Sequence, residues 1–384
     1  MSGFDVAVIG AGIHGASAAY HLSKDGARTV IFDRGTPASG PTGRSSAVCR
    51  AYYTNPFLAG VARDSIRMMA NFAELTGADS GYRNTGALFL HSAEDEADVR
   101  RTVIRLNEQD IPTQVLTPDE IGERFPQFDL SGIGVGAWEE DAGYADPTGT
   151  TLGLFGRAVD QGVESRLGTT VVGLDPRPEG GGSVVVADGS RTEADAILIA
   201  AGPWTRPLAA HVGVDLPLTV ERHVVGTFRW GAADPMPLHA DVGGGYYFKP
   251  EGTDLYLVGP LHQAPQADPD RFSERITPAE IHDLSRRVVR RVPQLTRSET
   301  QGGWASLYDV SPDWQPVIGE ITTGVFVDAG TSGHGFKLGP ALGRHVAAMI
   351  LGSVPDPGIE AFHPRRFAER RALAAGYGAA RILG

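Results

Sequence analysis

From Phe4 to Ile9 the chain runs through Val, Ala, Val and Ile with one early charge, Asp5. A short apolar run of this kind predicts a buried parallel strand. Gly10-Ala11-Gly12-Ile13-His14-Gly15 follows at once, and the alanine-rich stretch from Ile13 to Lys24 has helical composition, stopping near Gly26. Arg28 to Phe32 is a second short apolar strand, closed by Asp33. Near the other end, Val325-Phe326-Val327-Asp328-Ala329 reads as a strand, Gly330-Thr331-Ser332-Gly333-His334-Gly335 as a second glycine-rich turn, and the segment through His345 to Leu351 as an apolar helix. Between them, Ala196–Ala200 reads as a strand of the same kind. Val224–Trp230, Tyr246–Lys249 and Leu255–Val258 read as a second group of strands. Thr117-Pro118-Asp119-Glu120 and Thr277-Pro278-Ala279-Glu280 are capping boxes that open helices. The second helix carries Arg286, Arg287, Arg290 and Arg291, a run expected on a solvated face. Arg177 to Gly182 separates two strand-like runs and predicts a hairpin turn.

At 384 residues the chain is too long for one ordinary core, so two domains or one large domain with an insertion are expected. One cysteine, Cys49, excludes an intramolecular disulfide framework and a multi-thiolate metal site. The net charge of −12 argues against nucleic acid as a partner. There is no apolar run of ~18 residues to span a membrane and no basic leader, so a soluble cytoplasmic protein is expected. Three lysines (Lys24, Lys249, Lys337) stand among 34 basic residues.

Strand, GxGxxG, helix, strand and acid within about thirty residues is the context that gives the glycine motif meaning. Gly10 permits the tight turn, Gly12 lets a pyrophosphate approach the backbone, and Gly15 lets helix and strand pack. The helix N-terminus offers free N–H groups to phosphates. Asp33 stands where a carboxylate holds ribose hydroxyls. Arg34 reads as an exposed loop arginine, with a 2′-phosphate contact as the alternative. His14 reads as a helix residue beside the phosphates. The second turn, Gly330 to Gly335, is not needed for NAD and suits FAD: a helix N-terminus aimed at a flavin stabilises the negative charge of reduction.

Gly10–Gly15, Gly43-Arg44-Ser45-Ser46, Gly143-Tyr144-Ala145-Asp146-Pro147, Ala200-Ala201-Gly202-Pro203-Trp204, Ser311-Pro312-Asp313, Pro316-Val317-Ile318-Gly319 and Ser332-Gly333-His334-Gly335-Phe336-Lys337 occur in order along nearly the whole chain. In these motifs the sequence resembles the D-amino-acid-oxidase-like flavoproteins, in the sarcosine oxidase and glycine oxidase branch. The resemblance implies an α/β chain: a discontinuous Rossmann-like FAD domain (1–85, 141–217, 314–384) and a largely antiparallel substrate domain (86–140, 218–313). For the cofactor it implies contacts from Ile13, Arg44, Ser45, Ser46, Val171 (adenine, through the backbone), Gly202, Trp204, Gly333, His334, Gly335, Phe336 and Lys337. For a substrate carboxylate it implies Arg50 first and Lys337 second, with Tyr308 on the substrate side and His262 near the flavin. Tyr246, Tyr247 and His223 are further candidates on roof strands.

The implied activity is FAD-dependent oxidation of the C–N bond of a small amino acid or N-methyl amino acid, as an oxidase or dehydrogenase. Hydride passes to flavin N5, the imine is hydrolysed, and electrons pass to O2 or another acceptor. A hydroxy-acid substrate and an accessory electron-transfer flavoprotein are the alternatives. The sequence departs from the family in two places. Ser306 stands where monomeric sarcosine oxidases attach FAD through cysteine, so non-covalent FAD is expected, with Cys49 as a buried packing residue. Leu257 stands where those enzymes carry an oxygen-activating lysine, and Lys249, in a different turn, is expected to face solvent.

Overall fold

The computed structural model describes residues 3–230 and 236–374. The ends of the expected domain segments at 1–2 and 375–384, and residues 231–235 within one of them, lie outside the described residues.

Phe4–Ile9 pairs in parallel with Thr29–Phe32 on one side and with Arg191–Ile199 on the other. Its alternation divides two cores. Val6 and Val8 join the cluster that holds helix Ile13–Lys24, while Ala7 and Ile9 join a cluster with Val30, Phe32, Ile197 and Ile199. Burial on both faces explains why the run is continuously apolar. Arg191–Ile199 also pairs in parallel with Val325–Ala329, so the strands that lead into the two glycine-rich turns share one neighbour. The hairpin predicted at 177–182 joins Val171–Pro176 to Gly182–Val186 in this first sheet.

A second eight-stranded sheet runs in the order Glu299–Val310, Thr219–Arg229, Leu255–Pro260, Tyr246–Glu251, Leu238–Asp241, Ala87–His91, Val135–Glu139, Thr113–Leu116. All its pairs are antiparallel except Leu238–Asp241 with Ala87–His91. Both capping boxes form, with Thr117 and Thr277 bonded reciprocally to Glu120 and Glu280. The arginine run is not uniformly solvated. Arg286 is exposed, but Arg291 is buried, donates from Nε to Asp241 at 2.8 Å and reaches the Asp129 carbonyl. A buried carboxylate there needs a cation, which overrides the surface reading.

Helices Ile13–Lys24 and Gly335–Ile350, each following one of the two glycine-rich turns, pack against each other. A Cβ on Gly343 would lie 2.3 Å from Ser17 Oγ, so the crossing is close. The Pro340 carbonyl accepts Ser17 Oγ at 2.8 Å and His21 Nε2 at 3.3 Å. No helix among the described residues is long and apolar enough to cross a membrane.

Candidate active site

A cavity of about 1010 Å³ lies between the first sheet and the roof sheet. Both glycine-rich turns open into it: Gly10, Gly12, Ile13 and His14 from one, Gly333, Gly335 and Phe336 from the other. Asp33, Arg34, Arg44, Ser45, Ser46, Val171, Gly202, Trp204 and Tyr308 also line it.

The three glycines of the first turn do different work. Gly10 has φ +106°, and a Cβ there would meet the Ala200 carbonyl oxygen at 2.4 Å. Gly15 does not line the cavity; its α-carbon lies against the Gly10 carbonyl, which a Cβ would approach to 1.9 Å. Gly12 faces the cavity, where a side chain would occupy space needed by a ligand. Asp33 accepts the Ala11 N–H at 2.7 Å on one oxygen and the Gly35 N–H at 2.7 Å on the other. It therefore shapes the turn as well as facing the cavity. These features fit a dinucleotide: a bare backbone cradle at a helix N-terminus with an acid at the next strand end.

His14 turns its ring towards the other end of the chain. Nδ1 lies 2.9 Å from Asp328 and Nε2 lies 3.1 Å from the Gly335 carbonyl. Two acceptors require two N–H donors, which only the imidazolium has. Burial works against that charge, but the Asp328 and then the Asp309 carboxylate outweigh it and hold the imidazole above its ordinary range. Asp328 was missed in the sequence reading; its signal was an acid inside an otherwise apolar strand.

At the cavity mouth Arg34 stacks over Trp204 at 3.8 Å, and both bond Asp270 at 2.9 Å. Arg44 pairs with Glu274 at 2.7 Å. These contacts join the first-sheet loops to the segment that follows the roof strands.

Besides Gly15, four expected site residues stand outside the lining. His334 points away from the cavity between its two lining neighbours. It donates from Nε2 to the Trp314 carbonyl at 2.9 Å, so Nδ1 accepts the Tyr53 hydroxyl at 3.2 Å. Burial first, and then Lys337, push it down to about 3, so it is neutral. His262 is exposed and outside the cavity lining, so the structure does not support the catalytic place expected for it. Its replacement by alanine is expected to change kcat/KM by less than about twofold, as for a surface site; steady-state kinetics of the variant check this.

Arg50 and Lys337 are buried and stand behind the cavity lining rather than in it. Arg50 donates to the Tyr52 carbonyl and lies 4.4 Å over the Tyr53 ring. Burial and then Arg50 hold Lys337 well below the usual lysine range. Glu139, fully buried, accepts the Ala51 and Tyr52 N–H groups at 2.7 and 2.9 Å, and burial pushes it up to about 7.

Cys49 is buried too, and burial pushes its thiol up to about 12, leaving no reactive thiolate. Ser306, not a thiol, lines the cavity. Lys249 does not face solvent: it is 3% exposed, pairs with Glu251 and lies 4.4 Å over Tyr144. It is the cross-strand partner of Leu257 and shares a sheet face with Tyr247, two residues earlier.

On the roof, His223, Tyr247 and Tyr308 line the cavity, and Tyr246 is buried on the opposite face in a separate core. His223 stacks on Tyr308 with ring centroids 3.9 Å apart. Its Nε2 bonds Glu221 at 3.0 Å, and its Nδ1 has no hydrogen-bond partner among the described residues. A buried acceptor in that state costs about 1–3 kcal/mol. Glu221 was also missed; an acid two residues before a roof-strand histidine was the available signal.

Fold and cavity together define a dinucleotide-dependent oxidoreductase with a roofed site. The FAD dependent oxidoreductase family matches residues 5–349, and the chain belongs to that family. Among relatives, the glycine oxidase of Geobacillus kaustophilus is 27% identical over 363 residues, covering 90% of this chain and 93% of that one. The monomeric sarcosine oxidase of Streptomyces avermitilis is 27% identical, covering 95% and 98%. The mitochondrial dimethylglycine dehydrogenase of Rattus norvegicus is 26% identical over 94% of this chain, which spans only 45% of that protein. The crystal structure of L-proline dehydrogenase from P. horikoshii superposes with a TM-score of 0.86 at 24% identity, covering 96% of this chain and 99% of that one.

Proposed function

We propose that the chain is an FAD-dependent enzyme that oxidises the C–N bond of a small amino acid or N-methyl amino acid. The observation that carries this is the pair of buried cationic side chains, Arg50 and Lys337, close behind a cavity whose roof is aromatic. Relatives named as glycine oxidase and sarcosine oxidase support the same substrate class. We take the FAD domain as 1–85, 141–217 and 314–384, and the substrate domain as 86–140 and 218–313.

In this reading the backbone of Gly10, Gly12 and Ile13 and the Arg44–Ser46 loop hold the pyrophosphate, Asp33 the ribose and Val171 the adenine. FAD is bound without a covalent link, since the serine at 306 cannot form a thioether. Bound FAD supplies the two-electron acceptor for the substrate hydride. Arg50 holds the substrate carboxylate by its planar fork. A carboxylate bound beside Lys337 favours its charged form, because the negative charge offsets its desolvation. Tyr247 and Tyr308 exclude water and orient the carbon to be oxidised.

Anaerobic bleaching of the bound flavin by a panel of amino acids, N-methyl amino acids and hydroxy acids tests the reading. Bleaching by an amine is expected, and bleaching by hydroxy acids alone would overturn it. Readmitting air separates an oxidase from a dehydrogenase. Arg50→Ala is expected to raise KM about 100-fold, as for loss of a buried charge contact, while flavin content stays at the wild-type level.

A further inference from the structure

Residues 261–277 join strand Leu255–Pro260 to helix Pro278–Arg291 without a helix or strand of their own; Gln266 and Arg275 make isolated bridges. The segment exceeds the ~12–15 residues beyond which a structureless connection is usually a lid or a binding loop. Both of its ends are sewn to the roof sheet. On the entering side the Ala264 N–H donates to Glu221 and the Ala267 N–H to the Val220 carbonyl, each at 2.9 Å. On the leaving side the Ala305 N–H donates to the Glu274 carbonyl at 2.7 Å. Arg222 donates to the Ser273 and Arg275 carbonyls at 2.8 and 2.7 Å.

Between these anchors Asp268-Pro269-Asp270-Arg271 forms a turn. Proline at the second position presets φ, and an aspartate at the first bonds the backbone two residues on. The Asp268 carbonyl accepts the Arg271 N–H at 3.1 Å, and its side chain accepts the Asp270 N–H at 2.9 Å. The turn is thus built from its own bonds and can shift as a unit. Pro269, Asp270 and Phe272 line the cavity, so the turn lies over its mouth. Asp270 ties it to the far side: Oδ1 accepts Arg34 Nη1 and Trp204 Nε1, each at 2.9 Å. Arg34 is next to Asp33 and Trp204 is two residues after Gly202, and all four line the cavity.

We propose that the turn at 268–271 is a latch on the FAD site: held shut by Asp270 on Arg34 and Trp204, it walls the cavity, and FAD passes only when that contact parts. The proposal rests on FAD occupying this cavity. Two features suit a latch and not a fixed wall. The Arg34 and Asp270 side chains are 50% and 60% exposed, and an exposed pair shifts an equilibrium by no more than about fivefold. The anchors lie outside the turn, so parting the contact leaves them intact. Arg34 first, and then Trp204, hold Asp270 below the usual carboxylate range, so the latch is charged at neutral pH.

The experiment compares FAD release, followed by flavin fluorescence after dilution of the holoprotein, in the wild type and Asp270→Asn. Uptake is measured by stopped-flow mixing of the apoprotein with FAD. D270N is expected to release FAD about fivefold faster and to take it up faster as well, with Kd changed less than about twofold. The two directions share one opening. A carboxylate that merely repelled the anionic cofactor would give the opposite sign for release, because its loss would hold FAD more tightly. In an Arg34→Gln background D270N should add less than about twofold, since the pair is already broken. The gap between wild type and D270N should also close in about 0.5 M KCl, where the exposed pair is screened. Release from D270N at the wild-type rate or more slowly, or a D270N effect undiminished in R34Q, overturns the latch while leaving FAD binding intact. A purified protein that takes up no FAD overturns both.

Discussion

Gly15→Ala is expected to destabilise the chain by about 3 kcal/mol or more and to abolish FAD binding. The added Cβ would sit 1.9 Å from the Gly10 carbonyl oxygen and 3.0 Å from its carbon. Both are backbone atoms of the same turn, so neither can step aside without breaking the strand-to-helix junction. Gly12→Ala is the informative contrast. Its Cβ meets only Thr42 Oγ1, at 3.0 Å, where a small adjustment suffices. Stability within about 1 kcal/mol of wild type is expected, with flavin affinity lost because Gly12 faces the cavity. Thermal unfolding and the flavin-to-protein ratio of the two variants decide the matter. A G15A protein with wild-type Tm would refute the close-approach argument, and a G12A protein with full flavin would refute the cradle.

Acid is expected to unfold the chain well above pH 4. Burial, the first cause at each site, pushes His21, His91 and His239 down to about 4 and His334 down to about 3. An unfolded imidazole titrates near 6.5. In the folded state these groups stay neutral while the unfolded chain takes up protons. Their stabilising contribution is therefore complete above about pH 6.5 and is lost as pH falls towards 4. Each contributes on the order of 3 kcal/mol. Burial also depresses His223, His345 and His363. Glu139 and Asp309, raised by burial, act in the opposite sense, losing stability as pH rises through the acid range. His14, raised by its carboxylates, contributes below about 6.5 and loses that as pH rises through its folded value. Seven depressed imidazoles outweigh these, and total stability is only about 5–15 kcal/mol. Tm measured from pH 7.5 to 4.5 should fall steeply; a flat profile would sink the argument.

The first thirty-four residues were legible because three independent periodicities agree there: a short apolar strand, close-approach glycines and a helix of small residues. Of the roof strands, those around Val224–Trp230, Tyr246–Lys249 and Leu255–Val258 were legible from β-branched and aromatic runs, and the other five in that sheet were not named. Side-chain direction was not. His334 lies between two glycines whose backbone torsions, not its neighbours' polarity, decide where the ring points. Lys249 was assigned to a turn facing solvent, yet strand alternation puts it on the inward face with Tyr247. Arg50 and Lys337 were expected to serve one purpose, but that they stand behind the lining depends on contacts with Tyr52, Tyr53 and Glu139 that no spacing reveals. Asp328 and Glu221 look like incidental strand acids until a distant or facing histidine gives them work.

His14 and Asp328 are 314 residues apart in the chain. At ~5–20 residues per second, the ribosome makes the second roughly 15 to 60 s after the first. Through that interval the face of helix Ile13–Lys24 that will receive Gly339 and Gly343 is open to water or to chaperones. The two sides of the nucleotide cleft are thus made well apart in time, and the cofactor can be enclosed only after Asp328 and the turn that follows it have been synthesised.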